Sequence, residues 1–310
     1  MISYFVFLAT LAGIYSLLSL GLVSAWGQGG MVNLGMVGFF AVGAYTSAIL
    51  SSVGVPIFIG WIGAIVASAI FGVALCFVTR KLRGDYLAIV TLGFAEVIRL
   101  IATNEKWLTG GSDGIAGVKA PLKAELGAAF PWFYLIVTWL IVGIGAFILA
   151  RLFRAPFGRA LRAVRDDEQV ASVAGKTVLP LKLKAFAVGA AFSGIAGALY
   201  AHLTSYIAPD GFVPLLTIYI FLATTAGGYT RIGGAILGSI TLVALLESTR
   251  FLAASIPWLD SVQVASLREF SIAVALILVL QRWSEGMLAS KNQLAGVPSA
   301  NTASVREQAV

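Results

Sequence analysis

Few side chains in this chain could do chemistry. There is one histidine, His202, and one cysteine, Cys76. A zinc site takes three or four His, Cys or carboxylate ligands, and a nucleophilic triad sets a base beside its serine or cysteine. Neither can be assembled here with any redundancy. Thr109-Gly110-Gly111-Ser112-Asp113-Gly114 has the look of a phosphate loop, but it lacks the lysine and the Ser/Thr that follows it, and no strand precedes it. The sequence holds no cofactor motif and no means of hydrolysing ATP.

The charged residues are therefore the ones to weigh. A polar island over 151–184 holds Arg151, Arg154, Arg159, Arg162, Arg165, Lys176, Lys182 and Lys184 against Asp166, Asp167 and Glu168. Arg159, Arg162 and Arg165 recur every three residues, and Leu161, Val164 and Val170 add a part-apolar face, which predicts a short amphipathic helix. Glu96 and Arg99 stand three apart, on one helix face. Glu247 and Arg250 repeat that spacing, where a solvated pair is expected.

The elements around these residues are apolar. Hydrophobic residues make up 59% of 310 residues and charged residues 11%, against about a quarter charged in soluble domains. No residue before Arg80 is charged. Such a chain is an integral membrane protein, and its net charge of +7 lies in short loops, where orientation in a bilayer explains it better than nucleic-acid binding. Apolar runs predict spans at 5–25, 31–50, 57–78, 86–104, 133–150, 185–206, 215–229, 233–250 and 267–282. The run at 31–50 is interrupted by glycine and that at 215–229 is short, so either could be broken or re-entrant. The first run lacks a basic flank and is read as a retained span.

The expected fold is an all-α, polytopic transmembrane bundle of eight or nine spans in one domain over 1–289, with a disordered tail from 290. The positive-inside rule puts the loop 152–184 in the cytoplasm, the loop 105–131 outside and the tail inside. Glycines at comparable places in the two halves, Gly27–Gly43 and Gly227–Gly238, hint at an internal repeat.

Within this frame Glu96 lies ten residues past Tyr86, about 15 Å along a helix and near the middle of a core about 30 Å thick. A charge there costs about 2.5–3.5 kcal/mol on the lenient scale. The favoured reading is a self-neutralising Glu96–Arg99 pair buried in the bundle. The alternative is a polar site beside a translocation path.

The island then matches a known pattern. Glu168, Ala171 and Gly175, followed by Leu179-Pro180, read E-x-x-A-x-x-x-G and resemble the cytoplasmic loop of ATP-binding-cassette importer permeases. Leu82 to Leu92, Phe94-Ala95-Glu96, Ile98-Arg99-Leu100, Thr109 to Ile115, Gly158 to Ala163, Gly197 to Ala201 and Ile207 to Phe212 together resemble LivM-type permeases of branched-chain amino acid uptake. The resemblance implies a coupling helix carrying Arg159, Arg162, Asp167, Glu168, Ala171 and Gly175. It also implies a second, homologous permease subunit, two ATPase subunits that bind the ATP, and a periplasmic or tethered substrate-binding protein, in a bacterial inner membrane. Two departures touch the path: Asn33-Leu34-Gly35 leads to Met36 where the family often has histidine, and Gly227 to Gly234 is altered. Asn33 and Gly35 join Glu96 and Arg99 as path candidates. The favoured cargo is a branched-chain or related amino acid; the alternative is urea, a short amide or another small carboxylate, and an ion-coupled carrier is the reading from another class.

Overall fold

The computed structural model describes residues 2–82, 84–254, 261–282 and 286–287. Thirteen α-helices are named here in chain order: α1 (Ile2–Leu22), α2 (Met36–Ser52), α3 (Ile57–Val78), α4 (Gly84–Asn104), the short α5 (Lys106–Thr109) and α6 (Lys123–Leu126), α7 (Phe130–Arg154), α8 (Pro156–Asp166), α9 (Glu168–Val173), α10 (Val178–Thr204), α11 (Pro214–Gly227), α12 (Ile232–Ala254) and α13 (Ser261–Arg282). A two-residue ladder pairs β1 (Ile115–Ala116) with β2 (Tyr206–Ile207), antiparallel. Six stretches of the described residues are long and apolar enough to cross a membrane, and α2 and the described part of α12 form two shorter apolar helices. The chain is an all-α polytopic bundle.

Proline and glycine set the boundaries. Pro156 and Pro214 open α8 and α11, where the missing N–H costs no helical bond. α1 runs on through a π-helical turn, Val23–Gln28, and α2 starts only at Met36, five residues later than the apolar run suggests. Asn33 is the reason: its Oδ1 accepts from the Gly35 N–H at 2.9 Å, a local bond that competes with helix. At the island the helices reach further in than expected, to Arg154 and from Val178. Pro180 is tolerated there because it sits in the first turn of α10.

α1 and α10 are the central helices; α3, α4 and α7 are peripheral. α10 packs along α2 and α3, and α1 along α12, α10 and α7. At one crossing a Cβ on Gly43 would fall on the backbone of Gly194, so the helices touch backbone to backbone, as small residues allow in lipid.

The helices form two matching sets. Ile2, Met36, Ile57 and Gly84 start α1–α4, and Val178, Pro214, Ile232 and Ser261 start α10–α13, every start displaced by about 176 residues. Each set is a long helix, a non-helical stretch, a short helix and two longer ones. Gly54, with φ +88°, ends the second helix of one set, and Gly228, with φ +113°, that of the other. The repeat expected from Gly27–Gly43 and Gly227–Gly238 is thus real but differently registered: Gly27–Gly43 matches the stretch about 203–219. The sets run in opposite senses, because the C-terminal end of α1 bonds to the island that precedes α10.

Candidate functional site

The island folds as two helices rather than one. α8 buries Gly158, Leu161 and Val164. The chain breaks at Asp167, whose Oδ1 accepts from the N–H groups of Gln169 (2.8 Å) and Val170 (3.0 Å) and so caps α9. Val170, expected on the face of Leu161 and Val164, is instead 65% exposed, and Val173 is 90% exposed. α9 ends at Gly175, φ +77°; the Gly175 N–H reaches Ser172 O and the Lys176 N–H reaches Ala171 O, both at 3.0 Å. This is a Schellman closure, which favours glycine at that position. Ala171 is buried, and Glu168 accepts from Lys182 Nζ at 2.7 Å, tying α9 to α10. Each letter of the E-x-x-A-x-x-x-G pattern thus has a mechanical role: a tether, a small packed residue and a left-handed stop.

The arginines turn the other way. Arg162 donates to Gln28 Oε1 (3.0 Å) and Phe153 O (3.1 Å). Arg165 donates to Gly27 O at 2.9 Å and to Asp166. Arg165 thereby satisfies a carbonyl of the π-helical turn that continues α1, at the helix end where the dipole favours a cation. Arg159 stays exposed, with Arg154 O as its acceptor. Gln28 passes the contact on, donating from Nε2 to Thr230 O at 2.9 Å. Beside it Trp26 stacks between Phe221 and Tyr229, each 4.3 Å away. A cleft of about 420 Å³ lies between the Gly29–Met31 turn, Gly84 and the island residues Arg165 to Gln169.

The path candidates gather on α4. Leu34 N–H donates to Thr91 Oγ1 at 2.9 Å, and Gly35 lies against Thr91 O and the Phe94 ring. Asn33 is fully buried and donates to Met36 Sδ at 3.2 Å. Glu96 and Arg99 form a two-pronged pair, Nε to Oε2 at 2.9 Å and Nη2 to Oε1 at 2.5 Å. They are not buried in the bundle of this chain: the side chains are 38% and 24% exposed. The favoured expectation of burial is corrected, because α4 is peripheral and only one of its faces is covered. Glu247 bonds to Tyr4 Oη; the side chain of Arg250 and the tail from 290 lie outside the described residues.

Gln28 and Trp26 are functional candidates that sequence reasoning passed over, and Lys182 entered it as a basic residue of the island without a role. Lys182 carried a signal, a basic residue entering an apolar helix. Gln28 and Trp26 carried none, since their partners lie more than 130 residues away.

A bundle of this kind defines a multi-pass membrane protein, with a structured polar loop on one face. The chain belongs to the family described as the branched-chain amino acid transport system / permease component, which it matches over residues 4–280. It is 35% identical over 270 residues to the high-affinity branched-chain amino acid transport system permease protein LivM of Escherichia coli, covering 78% of this chain and 63% of that protein. A probable LivM of Methanocaldococcus jannaschii is 30% identical over 74% of this chain and 77% of its own. The LivH permease of Escherichia coli is 25% identical over 87% and 91%. The chain spans about 63% of the length of the enterobacterial LivM proteins it matches. No solved structure matches it.

Proposed function

We propose that the chain is a permease subunit of an ATP-binding-cassette importer that moves branched-chain or related amino acids across a bacterial inner membrane. The observation that carries the reading is α9: a helix of Glu168–Val173 capped at both ends, tethered through Glu168 to Lys182, and presenting Val170 and Val173 outward. Exposed valines on a rigid polar-loop helix suit a groove on a soluble partner better than water. In this reading α9 and the adjoining α8 are the coupling helix, the island is cytoplasmic, and the loop 105–131 is external. Two ATPase subunits supply ATP-driven motion, a second permease completes the path, and a periplasmic or tethered binding protein delivers the cargo.

The names of the relatives support amino acids over urea or short amides. The test is reconstitution in liposomes with two ATPase subunits and a binding protein of a branched-chain amino acid import system. ATP-dependent leucine uptake is expected, together with crosslinks from cysteines placed at 168–175 to an ATPase subunit. Gradient-driven uptake by the chain alone, with no crosslink, would instead establish an ion-coupled carrier.

A further inference from the structure

We propose that the α4 face carrying Glu96 and Arg99 lines the translocation path and receives the two charges of a zwitterionic amino acid, the carboxylate on Arg99 and the ammonium on Glu96. The inference rests on the importer reading above and names the part of the chain that meets the cargo.

Three observations converge on this face. First, the pair is partly exposed at the surface of the chain, and Glu96 lies twelve residues, about 18 Å, into a helix about 31 Å long. Charges at that depth face protein or a water-filled cavity rather than lipid tails. Second, both non-helical stretches of the repeat reach α4. The stretch before α2 bonds to it at Thr91. The turn Pro209–Gly211 before α11 packs against it as well, with Asp210 in electrostatic reach of Arg99. Irregular backbone at membrane depth belongs beside buried protein or an aqueous cavity. Third, one turn below the pair Gly93 is exposed, with no atom of this chain within 4 Å of where a side chain would project, so no part of this chain covers the face beside Glu96.

The chemistry fits a zwitterion. At rest Glu96 and Arg99 neutralise each other. A cargo bearing one carboxylate and one ammonium can exchange partners with them without changing the net charge of the site, to which Asp210 also contributes. A cargo of single charge would leave one member of the pair uncompensated. Arg99, with its planar fork, suits a carboxylate held by two parallel bonds.

The test uses the complete complex in liposomes, reading membrane insertion, ATPase rate and leucine uptake. The double variant Glu96→Gln with Arg99→Gln removes both charges and strands neither. Expected is insertion within about twofold of the parent, with uptake at least about tenfold lower, the equivalent of one misplaced charge-assisted contact. Smaller losses of uptake would overturn the proposal and leave the pair structural. Should that variant fail to insert, Gly93→Cys in a Cys76→Ser background decides the matter. A charged, water-soluble methanethiosulfonate is expected to modify it, more slowly with millimolar leucine present. Modification no faster than at Ile136→Cys on the exposed face of α7 would overturn the proposal. A parent complex that hydrolyses ATP but moves no leucine would count against the importer reading itself, and the Gly93→Cys labelling would still decide whether this face is wet.

Discussion

At the scale of single residues, Gly175 and Gly43 show two different uses of glycine. Nothing crowds Gly175, which has a positive φ, so Gly175→Ala meets no clash but strains the backbone by about 1 kcal/mol. The protein is expected to reach the membrane in normal amount, with leucine uptake reduced more than ATPase rate. Gly43→Ala drives a methyl into the Gly194 backbone, and lower yield and melting temperature are expected instead. Glu168→Gln leaves the buried Lys182 ammonium without its carboxylate, a loss of about 2 kcal/mol. Adding Lys182→Gln should recover most of that stability, measured as a double-mutant cycle in thermal unfolding. A cycle with no coupling would show that the ion pair does not hold α9 to α10. Gly175 and Glu168 were legible in the sequence because a short pattern carries them. Their tether was not, since a lysine fourteen residues on announces no partner.

At the scale of elements, what periodicity could reveal was the existence of each helix; what it missed was where helices break. Val170 looked apolar and in phase with Leu161 and Val164, but Asp167 ends α8 and starts α9, and the phase is lost there. The same holds at Asn33, whose side chain delays α2. Asp167→Ala removes an N-cap worth about 1 kcal/mol; in so short a helix that should unlatch α9, seen as faster amide exchange over 168–173 with the rest of the bundle unchanged. The end of α1 is held differently, by Trp26 between two rings. Trp26→Ala is expected to lower stability by about 2 kcal/mol, less than for a fully buried core aromatic because Trp26 is partly exposed, and Trp26→Phe by much less, in thermal unfolding of the purified protein.

At the scale of the whole molecule, the faces are defined by what is bonded together. β1 and β2 join the loop after α4 to the end of α10, while Gln28, Arg162 and Thr230 meet at the opposite face. A reporter fused after Gly111 should therefore be active on one side and a reporter after Lys176 on the other, the second in the cytoplasm; the same side for both would contradict the bundle. The run without charge before Arg80 made the membrane class plain from sequence, whereas the two-set architecture was hidden, because helix packing in lipid constrains size and shape more than identity. That architecture has a consequence for parity. Each set has four helices, an even number, so a set whose helices all cross would end on the face where it began. Two such sets joined end to end would point the same way, like beads on a string. α7 is the odd crossing between them, the half-turn that lets one copy stand on its head beside the other.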